Sequence, residues 1–153
     1  MLKPSKKLAL ALEAVVDIAY YGGSEPVQSQ GIAERLKLPR RYLEQVMQQL
    51  VRAGVLKGVR GPRGGYRLAK ERRRVTVGEV IRVVEGINGS DEVAFISDSV
   101  LGTEVMSDLW ENLSAAMVKR LDSVTIEDLC AMANKKNIAS TPIEQTSNAD
   151  FVI

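Results

Sequence analysis

Apolar residues recur at helical spacing over about residues 5–21, where Leu8, Leu12, Val15, Val16, Ala19 and Tyr20 share one face. Gly22-Gly23 stops that helix, and Ser24-Glu25-Pro26 reads as a turn. A short second helix fits Ser29 to about Leu36, with Ile32, Ala33 and Leu36 on one side. Lys37-Leu38-Pro39 breaks it, and Pro39 suits the first turn of a third helix, where its missing N–H costs nothing. That helix runs from about Arg40 to Ala53 with Leu43, Val46, Met47 and Leu50 inward, and Gly54 closes it in a left-handed cap position.

The period then shortens. Val55–Val59 and Tyr66–Ala69 read as the two strands of a hairpin around the turn Gly61-Pro62-Arg63-Gly64-Gly65. Thr76-Val77-Gly78-Glu79 has the spacing of a capping box and opens a helix to about Glu85. Residues 86–98 read as a loop. A long helix fits about Ser99 to Asp122, where Leu101, Val105, Leu109, Leu113, Met117 and Leu121 recur every four residues beside Met106 and Trp110. That much apolar surface in a chain of 153 residues needs a partner, and the simplest is a second copy of the same helix. Thr125 opens a last helix to about Lys135. The expected fold class is mainly α with a small β-hairpin wing. It divides into a winged helix-turn-helix domain over 1–86, a linker or sensor loop over 87–98, a dimerisation helix and final helix over 99–137, and a mobile tail over 138–153.

Composition narrows the chemistry. The chain has no His and a single Cys, Cys130, so imidazole-based metal sites, Ser-His-Asp and Cys-His nucleophile systems and an internal disulfide framework are excluded. No apolar run approaches the roughly 20 residues that cross a bilayer. Glu13 and Asp17 interrupt the only early apolar stretch, so a cytoplasmic protein without membrane association is expected. No convincing nucleophile or paired acid and base suggests an enzyme.

The net charge of +2 hides an asymmetry. Residues 1–88 carry 17 Lys and Arg against 8 Asp and Glu, whereas residues 89–153 carry 4 against 11. A basic half joined to an acidic half points to a polyanion-binding domain and a second part that does not touch the polyanion. Eight basic residues lie between Lys57 and Arg74, opposed only by Glu71.

Three short helices followed by a glycine-turned hairpin are the parts of a winged helix-turn-helix. The third helix would enter a major groove of double-stranded DNA by its N-terminal end, Arg40-Arg41-Tyr42-Leu43-Glu44-Gln45, with Gln48 and Gln49 a turn on. Arg reads guanine, Gln adenine, and Glu accepts from a cytosine amine. Two arginines where the helix dipole disfavours cations point to an anionic partner. The tip Arg60-Gly61-Pro62-Arg63-Gly64-Gly65 is narrow and cationic, which suits a minor groove or phosphate ridge. The competing reading is a protein-interaction module that works through its acidic C-terminal half.

Four stretches carry a family resemblance: Tyr42-Leu43-Glu44-Gln45, Leu50 through Gly54, Val59-Arg60-Gly61-Pro62-Arg63-Gly64-Gly65-Tyr66, and Thr76-Val77-Gly78-Glu79-Val80-Ile81. Together they resemble the small bacterial winged-helix repressors of the Rrf-two family, over about residues 5–134. The resemblance implies a homodimer, joined through the long helix, on a partly palindromic operator. By position it assigns recognition-helix contacts to Arg40, Arg41 and Glu44 and wing contacts to Arg60 and Arg63. With Tyr42, Gln45, Gln48 and Gly64 these are the candidate DNA-binding residues.

Two departures stand out. Ala9 and Leu10 occupy positions where an Arg-Tyr pair is common in the family; Lys3, Lys6 and Lys7 are the nearby cations that could substitute. Cluster-binding members carry three cysteines between the fourth helix and the long helix, and residues 86–106 here contain none. No iron–sulfur cluster or other cofactor is expected. Asp91, Glu92, Asp98 and Glu104 are read as solvated acids rather than ligands of a hard cation, and Cys130 as a buried hydrophobe rather than a redox sensor. The signal is left as a small-molecule or protein effector.

Overall fold

A computed structural model describes residues 4–85 and 97–139. The elements run α1 (Lys6–Tyr21), α2 (Ser29–Leu36), α3 (Arg40–Arg52), β1 (Leu56–Val59) and β2 (Gly65–Leu68), then a short 3-10 turn (Arg72–Arg74) and α4 (Val77–Glu85). A π-helical segment (Leu101–Met106), α5 (Ser107–Asp122) and α6 (Ile126–Lys135) follow. This is the mainly helical fold with a two-stranded wing. Tail residues 140–153, Lys3, Asp91 and Glu92 lie outside the described residues, as does most of the 87–98 loop.

The core is built where the apolar periodicity places it. Ala14, Val15 and Ile18 of α1, Ile32 of α2, and Leu43, Met47 and Leu50 of α3 are buried together with Val80 of α4 and Ile126 of α6. Helix α1 lies against α2, α3, α4 and α6, so it is the central post of the domain. Its one buried charge, Asp17, takes two hydrogen bonds from Arg35 of α2, both at 2.8 Å.

Local chemistry ends the elements. Ser5 caps α1 through its hydroxyl, which accepts from the Leu8 N–H. The α2–α3 turn is set by Lys37 in the left-handed conformation, with the Leu38 N–H donating back to the Ala33 carbonyl. Pro39 stands at the N-cap of α3, one position before the first turn, because its extended ψ cannot continue a helix. Gly54, at φ 79°, closes α3 in a Schellman motif: the Gly54 N–H donates to Val51 and the Val55 N–H to Leu50.

Two expectations need correction. The capping box at Thr76 is half formed. The Glu79 N–H donates to the Thr76 hydroxyl, but the Glu79 carboxylate takes the Lys70 ammonium at 2.7 Å instead of reaching back. The reciprocal box is at α6, between Thr125 and Asp128. Second, the long helix is not uniformly α. Its first six residues are wound as a π-helix, with the Ser99 hydroxyl accepting from the Gly102 N–H and Ser107 donating to the Gly102 carbonyl. In an α-helix a four-residue repeat drifts by about 40° per step. A wider π turn opposes that drift at Leu101 and Val105.

Candidate nucleic-acid interface

Helix α3 buries Leu43, Val46, Met47 and Leu50 and leaves Arg40, Arg41, Tyr42, Gln45 and Gln48 exposed. Its cap, Pro39, has no side-chain acceptor for the first-turn N–H groups, and the first turn carries no acid. The exposed end of the helix therefore offers free backbone donors and cationic side chains to an anion. Glu44 is half-buried and already engaged. Its Oε1 accepts from Arg40 Nε at 3.0 Å and from the Ser29 hydroxyl at 3.4 Å. A surface pair four residues apart is worth about 0.3–0.5 kcal/mol, so both groups can exchange this contact for a base or phosphate.

A groove on the protein surface separates the start of α3 from the wing. Arg40 and Glu44 line it on one side together with Ser29 of α2, and Gly58 through Gly61, Pro62, Gly64 and Tyr66 line the other. Burial, and then the Glu44 carboxylate, push the Tyr66 phenol up. Leu56 to Val59 pair antiparallel with Leu68 to Gly65. At the tip the Gly64 N–H donates to the Gly61 carbonyl at 2.9 Å. A Cβ on Gly64 would run into the Val59 carbonyl oxygen, so Gly64 closes the turn that presents exposed Arg60 and Arg63.

A contact not legible in the sequence anchors the wing. Val27 and Tyr66 exchange two backbone hydrogen bonds, each 2.8 Å. Gly65 permits this approach, since a Cβ there would overlap the Val27 carbonyl. The only signal for it is a single apolar residue after Pro26.

The basic run divides. Lys70 pairs with Glu79, Arg73 with Glu71 at 2.6 Å, and Arg72 with Glu127 of α6. These three are engaged within the fold. Lys57, Arg60, Arg63 and Arg74 are exposed and, among the described residues, form no ion pair. Gln49 also departs from its sequence reading as a base reader, because its side chain donates to the Val83 carbonyl of α4 at 2.7 Å. At the start of α1, Lys6 and Lys7 are exposed while Leu10 is buried.

The predicted dimerisation residues behave differently from the core. No residue of α5 is buried. Leu101 is 70% exposed, Leu109 45%, Trp110 44%, Leu113 45% and Met117 43%, and Val105 is also exposed; Leu121 is half-buried. The C-terminal end of α5 is fixed to α4. Arg82 pairs with Asp122 at 2.5 Å, and Gly78 lies so close to that carboxylate that a Cβ would overlap it. Among the described residues no helix is long and apolar enough to cross a membrane.

Comparison with known proteins identifies the family. Residues 4–132 match the Rrf-two family model, described as an iron-dependent transcriptional regulator. The chain is 35% identical to the HTH-type transcriptional regulator CymR of Bacillus subtilis (strain 168) over 130 residues, covering 85% of this chain and 91% of that protein. It is 33% identical to the HTH-type transcriptional regulator IscR of Vibrio atlanticus (strain LGP32), covering 84% of this chain and 75% of that one. Among solved structures, T. potens IscR superposes with a TM-score of 0.75 at 36% identity, covering 94% of this chain and 96% of that one.

The family description invokes iron, and the donors of this chain do not fit an iron–sulfur cluster. Such clusters take thiolates, usually about four. The chain has one Cys and no His, and among the described residues no three Cys, Asp or Glu come together as a metal site. Cys130 is buried at the edge of the apolar core with Arg72 and Glu127 beside it, and burial outweighs the Arg72 guanidinium and pushes its thiol up, away from the thiolate a metal needs. By sequence and fold the chain belongs to the Rrf-two family of winged-helix DNA-binding transcriptional regulators, and it is not an enzyme.

Proposed function

We propose that the protein is a cytoplasmic repressor that acts as a homodimer without a cluster. Each chain sets α3 in a major groove and the wing against the adjoining backbone, and two chains joined along α5 cover a partly palindromic operator. The observation that carries this reading is the groove flanked by Arg40 and Glu44 on one side and the glycine-closed wing on the other.

On the exposed face of α3 beside this groove Arg41, Tyr42, Gln45 and Gln48 read base edges, and Arg40 and Glu44 do so after exchanging their mutual contact. Arg60 and Arg63 hold phosphate or minor groove, with Gly64 shaping the tip. The exposed stripe Leu101, Val105, Leu109, Trp110, Leu113 and Met117, continued by half-buried Leu121, supports the dimer. Glu104, Asp108 and Glu111 lie toward one end of this stripe and Lys119 and Arg120 toward the other, which favours an antiparallel pair. A small molecule or a protein partner supplies the signal.

Fluorescence anisotropy on a duplex from the upstream region of its own gene, against a scrambled duplex, tests the reading. A preference of about a thousandfold or more is expected. Equal binding to both duplexes contradicts it.

A further inference from the structure

Gln49 lies on α3 but does not face the groove. It is half-buried, and its Nε2 donates to the Val83 carbonyl at 2.7 Å. Val83 is in the last turn of α4, where carbonyls lack a donor within their own helix. The preceding residue, Arg82, reaches a different helix: its guanidinium holds Asp122 at the end of α5. Two adjacent residues of α4 therefore tie the helix at the groove to the helix bearing the exposed apolar stripe.

Among the described residues no other hydrogen bond or ion pair joins α3 to α4, and Val46, Met47 and Leu50 are buried in the same cluster as Val80 and Val84. Apolar burial is non-directional, and helix packing sets a preferred crossing angle only to within about 15–20°. A short hydrogen bond to a fixed carbonyl is directional. We propose that Gln49 is a positioning residue for DNA reading. It sets the roll of α3 against α4, and through Arg82 and Asp122 it sets the placement of α3 relative to α5, hence the half-site spacing that a dimer accepts.

This inference rests on α3 being the reading helix, and the test separates the two. Gln49→Met keeps the volume and removes the donor, whereas Gln49→Lys keeps a donor. Each is titrated against the operator, a scrambled duplex, and operators with one base pair added or removed between half-sites. The unfolding midpoint and the salt slope on scrambled DNA are measured alongside.

Gln49→Met is expected to lose about tenfold of the preference for operator over scrambled DNA and to accept altered spacings more evenly. Its salt slope should match wild type and its midpoint should fall only slightly, as the loss of one hydrogen bond requires, and Gln49→Lys should restore the preference. A Gln49→Met protein that discriminates like wild type overturns the proposal. So does a loss that accompanies a much lower midpoint and is not restored by Lys. If wild type itself does not discriminate, the reading of α3 falls and this proposal with it.

Discussion

Arg35 grips Asp17 with two parallel hydrogen bonds of 2.8 Å, across the interface between α1 and α2. Asp17 is the one buried charged residue among the described residues, and the Arg35 guanidinium also stacks 4.4 Å above the Tyr21 ring. The carboxylate raises the Arg35 pKa further above its ordinary value. The pair orients α2, and through the α2–α3 turn it orients the helix at the groove.

Breaking one half of such a pair leaves a buried charge alone, which costs about 3–5 kcal/mol. Arg35→Met should therefore destabilise the protein by about that much in urea unfolding. Replacing Asp17 and Arg35 together by apolar residues of similar size should cost much less than the sum of the single changes. Additive losses would show that the two side chains do not act as a pair.

The α5 stripe predicts the oligomeric state. Burying a Leu side chain contributes about 1.5–3 kcal/mol, and in a symmetric dimer each position counts twice. Leu113→Glu should weaken dimerisation by at least about a hundredfold and leave a helical monomer. Sedimentation velocity and circular dichroism at matched concentration check both parts.

Acid should loosen the joints made by Asp122 and Asp128. The Arg82 side chain lowers the Asp122 pKa. Hydrogen bonds from the Thr125 backbone and side chain lower that of Asp128. Each folded value lies below the unfolded one, so the contribution is fully present above the unfolded value, near about 3.9, and is lost as pH falls through the folded one. Asp122→Asn and Asp128→Asn should each lessen the fall in urea midpoint between about pH 5 and pH 2. An unchanged acid slope in both variants would contradict these assignments.

Much of the fold is legible because the signals are local. Apolar spacing of three and four marks α1 to α4, Gly54 marks the end of α3, and Gly61 and Gly64 mark the wing turn. What is hidden depends on partners far apart in the chain. Gln49 looks like a base reader until Val83, 34 residues on, takes its amide. The basic run from Lys57 to Arg74 looks like one cationic patch until Glu79 and Glu127 fold against it. Val27 gives no strand signal because a single residue has no period. The π winding over Leu101–Met106 escapes notice because its residues also satisfy a helical repeat.

The central claim is a division of labour between α3 and the wing, and the salt dependence of binding tests it most directly. Wild type, Arg63→Ala and Arg41→Ala are titrated against operator and scrambled duplex over a range of salt. Arg63→Ala should weaken binding to both duplexes alike and lower the slope of log K against log salt by about 0.9 for each phosphate it no longer neutralises. Arg41→Ala should instead lower the preference for operator by about 1–3 kcal/mol. Two variants that lose affinity, slope and preference in the same proportions would contradict it.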